Sequence, residues 1–226
     1  MKRLIILLLV VCLSQVAVHS QANDYARYIV DTLASSAFFG RGYVNDGVNL
    51  SAEFLAQEFE KTGLKKVKRK YEQGFNIKVN TFPGEMILKI NETELIAGKE
   101  YLVDPLSSGI NGHFEAVVVQ KEELKDPGTF KNIVNTSAGK FIILDERNYV
   151  KESAEEDKKL IEYVNFIKYN TQLASRGTII LTSEKLVWSP ANVQLSKPVF
   201  IVSKEMELKN PTSVAVHVDA QFQEKF

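Results

Sequence analysis

Apolar residues recur along this chain at two different intervals. Near the start the interval is helical. Ala26, Ile29, Val30 and Leu33 share one stripe between Asn23 and Ser35, with Asn23 or Asp24 placed to cap the first turn. Ala52, Leu55, Ala56 and Phe59 repeat the spacing i, i+3, i+4, i+7, which predicts a second helix from Asn49 to Leu64. Asn49 is the expected cap, because its side-chain oxygen can accept a free backbone N–H. Gly63 is expected in the left-handed position past the helix end, with Leu64 closing over the last turn. A glycine-punctuated loop, Phe38-Phe39-Gly40-Arg41-Gly42-Tyr43-Val44-Asn45-Asp46-Gly47, separates the two helices.

Beyond this point the interval shortens to two. Phe75, Ile77 and Val79 alternate with polar residues as in a half-buried strand, and Pro83-Gly84 ends it. Met86, Leu88 and Ile90 alternate, Asn91-Glu92 turns the chain, and Thr93–Ile96 returns as a hairpin. Gly98–Val103 predicts another short strand, Ser107–Gly112 a loop, and Glu115–Gln120 a strand. Phe141-Ile142-Ile143-Leu144 is an unbroken apolar run, the pattern of a strand covered on both faces. A helix follows, started by a capping box of Ser153 with Glu156 and carrying Leu160, Ile161, Val164, Ile167 and Tyr169 on its apolar side. Thr178–Leu181 and Pro198–Val202 are two more buried strands. Strand, helix, strand with apolar cores reads as a βαβ unit. The expected fold class is α/β (α+β): a short helical N-terminal segment, then a β-rich domain holding a βαβ unit.

Composition adds little to this picture. The chain has 226 residues, 45% hydrophobic and 25% charged, with a formal charge of zero. That is ordinary for a folded protein and gives no global pull toward nucleic acid or an anionic membrane. Residues 1–20 have the make-up of a secretory signal peptide. Lys2 and Arg3 precede the apolar run Leu4–Val11, polar Ser14 and Gln15 interrupt it, and Val18-His19-Ser20 offers small residues for cleavage before Gln21. Cleavage would remove Cys12, the sole cysteine, and His19. The mature protein is therefore expected to be secreted or periplasmic, to hold no disulfide, and to keep no membrane contact.

"FFGRGYVNDGVNLSAEFLAQEFEKTGLKK" resembles the leading segment of secreted two-zinc aminopeptidases, metallopeptidase family number twenty-eight. Those have a Gly-Arg-Gly-type loop followed by a helix ending in Gly-Leu. "GKFIILDERN", "ASRGTIILTS" and "KPVFIVSKEMEL" resemble the protease-associated domain, a small α/β module inserted into several exported peptidases. Together the two resemblances cover about residues 24–220. They imply a signal peptide at 1–20, the N-terminal segment of a peptidase-like domain at 21–84, a protease-associated-like domain at 85–212, and a return strand toward a missing peptidase domain at 213–226.

Candidate chemistry is sparse. A two-zinc site needs about five ligands, histidines and carboxylates together. In the resembled family the first two form a His-x-Asp motif soon followed by glycine. Here His217-Val218-Asp219 is followed by Ala220-Gln221-Phe222, and Val214, Val216 and Val218 alternate with it as one apolar strand face. The pair is read as a strand-face pair. His113, in a glycine-rich turn with Glu115, is read as an exposed loop histidine. Arg41 is read as anchoring its loop to a carboxylate or to carbonyls, and Lys65–Lys70 as a solvated basic connection. Asp145-Glu146-Arg147 and Glu152–Asp157 lack the spacing of a calcium loop and read as a solvated helix start. No serine-hydrolase elbow, phosphate loop or dinucleotide fingerprint occurs.

The expectation is thus no catalytic, cofactor-binding or metal-ligating residue in this chain, zinc belonging to the resembled family. The expected partners are a peptide substrate or a separate peptidase chain, and no nucleic acid. The expected role is the non-hydrolytic front part of an exported zinc aminopeptidase-like protein, whose inserted domain sets substrate access. The alternative is a peptide- or protein-binding module with no enzymatic role. A truncated product without an independent role is a third possibility.

Overall fold

A computed structural model describes residues 23–42, 44–150, 153–203, 208 and 210–225. The signal segment, Glu152 and the side chain of Glu156 lie outside the described residues, and so does the expected capping box. The chain divides into two compact units, Met1–Gly74 and Phe75–Phe226.

The first unit holds helix α1 at 23–34 and helix α2 at Gly47–Lys61, joined by short 3-10 turns at Ser36–Arg41 and Val44–Asp46. The second helix starts earlier than expected. A Cβ on Gly47 would lie 2.3 Å from the Phe38 carbonyl oxygen, so only glycine lets the loop close against the helix start. The Val48 N–H then reaches the Gly42 carbonyl at 2.8 Å. Asn49 therefore sits inside the first turn and donates to Asp46 Oδ1 rather than capping. The far end follows the sequence. Gly63 is left-handed, its N–H meets the Glu60 carbonyl, and the Leu64 N–H meets that of Phe59.

Apolar burial in this unit is thin. Ala52, Leu55 and Ala56 are half-buried, Phe59 is exposed, and so are Ala26 and Val30 of α1. The buried residues of α2 are Gly47, Ser51 and Glu58. Glu58 fastens the helix pair: it accepts from the Tyr25 hydroxyl at 2.9 Å and pairs with Lys61 at 2.6 Å. Phe54 adds edge contacts with Tyr28 and Phe38. The stripes expected to be buried are half-buried at best.

The second unit is built on strands β1 (Ile77–Thr81), β2 (Met86–Ile90), β3 (Thr93–Glu94), β4 (Tyr101–Val103) and β5 (Ile110–Gln120). Then come α3 (Pro127–Thr136), β6 (Phe141–Asp145), α4 (Ala154–Tyr169), β7 (Gly177–Thr182), β8 (Val199–Ser203), β9 (Ser213–Val218) and β10 (Gln221–Lys225). Eight strands form one sheet in the order β3-β2-β9-β5-β6-β7-β8-β4, and β1 pairs with β10. Strands β5 to β8 run parallel to one another, and the remaining pairs are antiparallel. The α/β class is as expected. Strand β9 lies inside the sheet, between β2 and β5, and of the 213–226 segment β10 lies outside it, paired with β1.

Helix α3 has no counterpart in the sequence reading. The Asp126 carboxylate accepts the Thr129 N–H at 2.8 Å, and Pro127 occupies a first-turn position that needs no donor. Phe130, Ile133 and Val134 then face the sheet.

Alternate residues of the parallel strands feed two cores. Ile142, Leu144, Ile180 and Val199 pack under α3 and α4 with Leu160, Val164 and Ile167. Phe141, Ile143, Ile179, Leu181, Phe200 and Val202 face the other way. They meet Leu88 and Ile90 of β2, Val214, Val216 and Val218 of β9, and Tyr101 and Val103 of β4. Strands from both edges of the sheet share that core, so the sheet is curled around it. Residues 95–100 join β3 on one edge to β4 on the other, with buried Leu95 on the way.

The strands leading into and out of this unit are paired. Thr81 lies opposite Gln221 and Met86 opposite Val218. Asn80, 1% exposed, fixes the junction. Its amide donates to the carbonyls of Pro105 at 2.9 Å and Ser107 at 2.7 Å, its oxygen accepts from Gln194 at 2.8 Å, and its backbone N–H meets the Ala191 carbonyl at 2.9 Å. Asn80→Ala strands two carbonyls and an amide. It is expected to cost about 3 kcal/mol, since each unmet buried partner costs roughly 1–3. A lower urea midpoint at unchanged slope would register it.

Candidate functional site

Strand alternation places the sequence candidates on the convex side of the curl. On β5, Phe114 and Ala116 turn toward the core, so Asn111, His113 and Glu115 face out. On β9, Val214, Val216 and Val218 turn in and His217 faces out. The register sets Asn111 opposite His217 and His113 opposite Ala215. His113 and His217 are thus diagonal neighbours on adjacent strands, a relation that sequence separation hides.

The surroundings of this pair are wet. His217 Nε2 lies 3.8 Å from Asp219 Oδ2, with side chains 36% and 63% exposed. Glu115 pairs with Lys140 at 2.8 Å, and that ammonium holds its carboxyl below the ordinary range. Lys89 pairs with Glu94 at 2.7 Å on the neighbouring strand. Among the described residues no group of three or more His, Cys, Asp or Glu side chains is placed to hold a metal ion. The face is a mixed-charge strand surface with two water-facing imidazoles.

A more ordered arrangement lies at the carboxyl ends of the parallel strands, where ligand-binding loops gather in α/β sheets. Asp145 ends β6 and is 5% exposed. Burial pushes its carboxyl up, but Arg147 outweighs that. Arg147 Nε and N–H reach Oδ1 at 2.9 and 3.0 Å, and Nη2 reaches Oδ2 at 2.6 Å. With a further bond from the Gln120 side chain, the carboxyl ends below its ordinary value. Next to it, Lys121 lies 3.6 Å from Glu146 and 4.4 Å from the Tyr149 ring centroid. The sequence reading of Asp145-Glu146-Arg147 as a solvated helix start is corrected here. Its aspartate is buried and forked by arginine two residues on, and it stiffens the loop leaving β6.

The loop at 183–198 carries a feature the sequence reading passed over. Val187 is 74% exposed, Trp188 45% and Val193 53%. The loop is held nonetheless: Ala191 is buried and bonded to Asn80, and the Leu195 N–H meets the Leu106 carbonyl at 2.7 Å. An irregular connection of this length with a fixed, apolar outer surface has the features of a binding loop.

Arg41 has left-handed backbone and is exposed, and its side chain makes no hydrogen bond or ion pair among the described residues. The anchoring role expected of it is carried instead by Gly47 and by the Val48–Gly42 backbone bond. The Lys65–Lys70 stretch is exposed throughout, as expected, but it is folded into a tight turn.

No family model matches this chain, and no curated protein matches it. Solved structures similar to this chain include two peptidases. One is an aminopeptidase from Aneurinibacillus sp. strain AM-1, at 15% identity and a TM-score of 0.43, with 79% of this chain and 40% of that one covered. The other is a peptidase precursor of metallopeptidase family number twenty-eight from Shewanella amazonensis, at 8% identity and a TM-score of 0.46, with 89% and 51% covered. The chain thus spans about half the length of these proteins or less.

Because the Asp145 carboxyl titrates below its ordinary 3.8, its share of stability is complete above that pH and is lost as pH falls through the lowered native value. Asp145→Asn is expected to cost about 2 kcal/mol at neutral pH by unpairing Arg147. The gap between the two proteins should close in acid, as urea titrations from pH 7 downward would show.

Proposed function

We propose that this chain is the front part of an exported zinc aminopeptidase-like protein. In this reading the first unit is an arm of the peptidase-like body. The second holds, at 85–212, a protease-associated-like domain that sets substrate access, and the chain does not hydrolyse peptides by itself. Zinc belongs to the body the arm would join, and the partner is a peptide substrate or a separate peptidase chain. The sequence resemblance in residues 38–66 and in the three strand segments motivates the reading.

One observation carries it: the strands leading into and out of the second unit lie side by side, through β1 with β10 and β2 with β9. A module inserted within another domain must begin and end at neighbouring points, and this pairing provides that. A second observation supports the arm. The described residues of the first unit add no apolar side chain to the buried core, although Tyr25, Tyr28, Val30, Leu50 and Phe59 are in water. Helices so exposed are stabilised by packing against another surface rather than by their own contacts. Purified, zinc-loaded protein is expected to leave leucyl-anilide uncleaved, and turnover that disappears with chelator would overturn the non-hydrolytic reading.

The binding-module alternative is favoured by the loop carrying Trp188. It would hold if the chain captured peptides and Trp188→Ala, leaving the melting midpoint unchanged, weakened capture about tenfold or more, as loss of a buried aromatic anchor does. Indifference to that change would remove it.

A further inference from the structure

All residues from Lys61 to Lys70 are exposed, and six of them are Lys or Arg. Two are answered by carboxylates: Lys61 by Glu58 at 2.6 Å and Lys66 by Glu60 at 2.8 Å. Lys65, Lys68, Arg69 and Lys70 have no ion-pair partner among the described residues. The chain does not leave these cations on a loose coil. Val67 and Lys70 exchange both backbone hydrogen bonds, at 2.9 and 3.0 Å, and close a two-residue turn. Lys68 and Arg69 fill its corners with φ of 48° and 71°. That is the left-handed pair of a type I′ turn, which favours Asn-Gly and disfavours long side chains. Two cations stand where local preference asks for small residues, and conflicts of that kind gather at functional positions.

The base of the turn is fixed. The Tyr71 hydroxyl donates to the Leu64 carbonyl at 2.6 Å, the Tyr71 ring packs edge-on against Phe59 at 5.8 Å, and the Lys66 ammonium sits 5.2 Å from its centroid. Among the cations, Val67 is 76% and Leu64 54% exposed.

We propose that this turn docks the protein on an anionic lipid surface. Unpaired cations beside exposed aliphatic side chains match both layers of such a surface, the charged headgroups and the outer acyl region. A nucleic acid fits less well. Val67 and Leu64 have no counterpart along a phosphate backbone, and the ring at the site, Tyr71, is already engaged by Phe59 and Lys66 rather than open for base stacking. The docking is independent of the peptidase-like reading. It departs from the sequence expectation that the mature chain keeps no membrane contact, and from the reading of Lys65–Lys70 as a solvated basic connection.

The test exploits the turn geometry. Lys68→Asn with Arg69→Gly removes both corner charges and supplies the residues a type I′ turn prefers. The full chain is expected to sediment with phosphatidylglycerol-containing vesicles, to be released by salt, and to ignore pure phosphatidylcholine. The double variant should keep or raise the melting midpoint while partitioning about thirtyfold more weakly, about fivefold per cation. Val67→Ser should weaken partitioning further at an unchanged salt slope. Equal binding to neutral vesicles, absence of binding, or a double variant that binds like the parent would overturn the proposal. So would heparin or an oligonucleotide binding as tightly as the vesicles with Val67→Ser without effect, which would mark a soluble-polyanion site.

Discussion

Closure of the curled sheet over a single apolar interior is the constraint from which the second unit follows. Leu88 and Ile90 come from near one edge, Tyr101 and Val103 from the other, and Phe141, Ile179 and Phe200 from the middle. These positions share a core only if the sheet bends until its edges approach. The short link 95–100 enforces that approach covalently, because β3 and β4 are consecutive in the chain yet lie at opposite edges. Leu95 is drawn under the sheet by its N–H bond to the Leu88 carbonyl, and the Gly98 N–H bonds to the Tyr101 carbonyl. With the concave side so filled, α3 and α4 can cover the other face of the parallel strands alone. Asp145 and Lys121 stand at the carboxyl ends of those strands.

The two units divide the energetic work unequally. The second buries aliphatic and aromatic side chains on both faces of its central strands. The first relies on a buried carboxylate between two tyrosine-bearing turns and on edge contacts of Phe54. Lys61 and the Tyr25 hydroxyl hold the Glu58 carboxyl below its ordinary range. Such a charge-assisted clamp fixes geometry well but adds little of the area-dependent stabilisation that apolar burial supplies.

Much of the architecture was legible because the core strands carry their signal within a few residues. Phe141–Leu144 and Thr178–Leu181 are apolar on both faces, and Gly63-Leu64 ends its helix by local rules alone. Other features depend on partners far along the chain. Asn80 takes a polar place in an alternating pattern and looks like a solvent-facing residue, yet its partners lie at Pro105, Ser107 and Gln194. Helix α2 begins at Gly47 because of the Phe38 carbonyl, a backbone atom with no sequence signature. The closeness of His113 and His217 needs the β5–β9 register, which no periodicity contains. The left-handed corners at Lys68 and Arg69 carry neither glycine nor asparagine, so composition gave no warning of a turn.

The ribbon of β1 and β10 also fixes how the second unit responds to load. Its chain ends lie together at the Ile77–Lys225 end of the ribbon. Tension drawing those ends apart therefore opens the ribbon rung by rung, the weak direction for a ladder of hydrogen bonds. The first firm resistance comes at Asn80, whose side chain is tied to two carbonyls and to Gln194. Up to that residue the ribbon behaves as a compliant tether. Past it, strain passes directly into β2 and β9, and from there into the walls of the core.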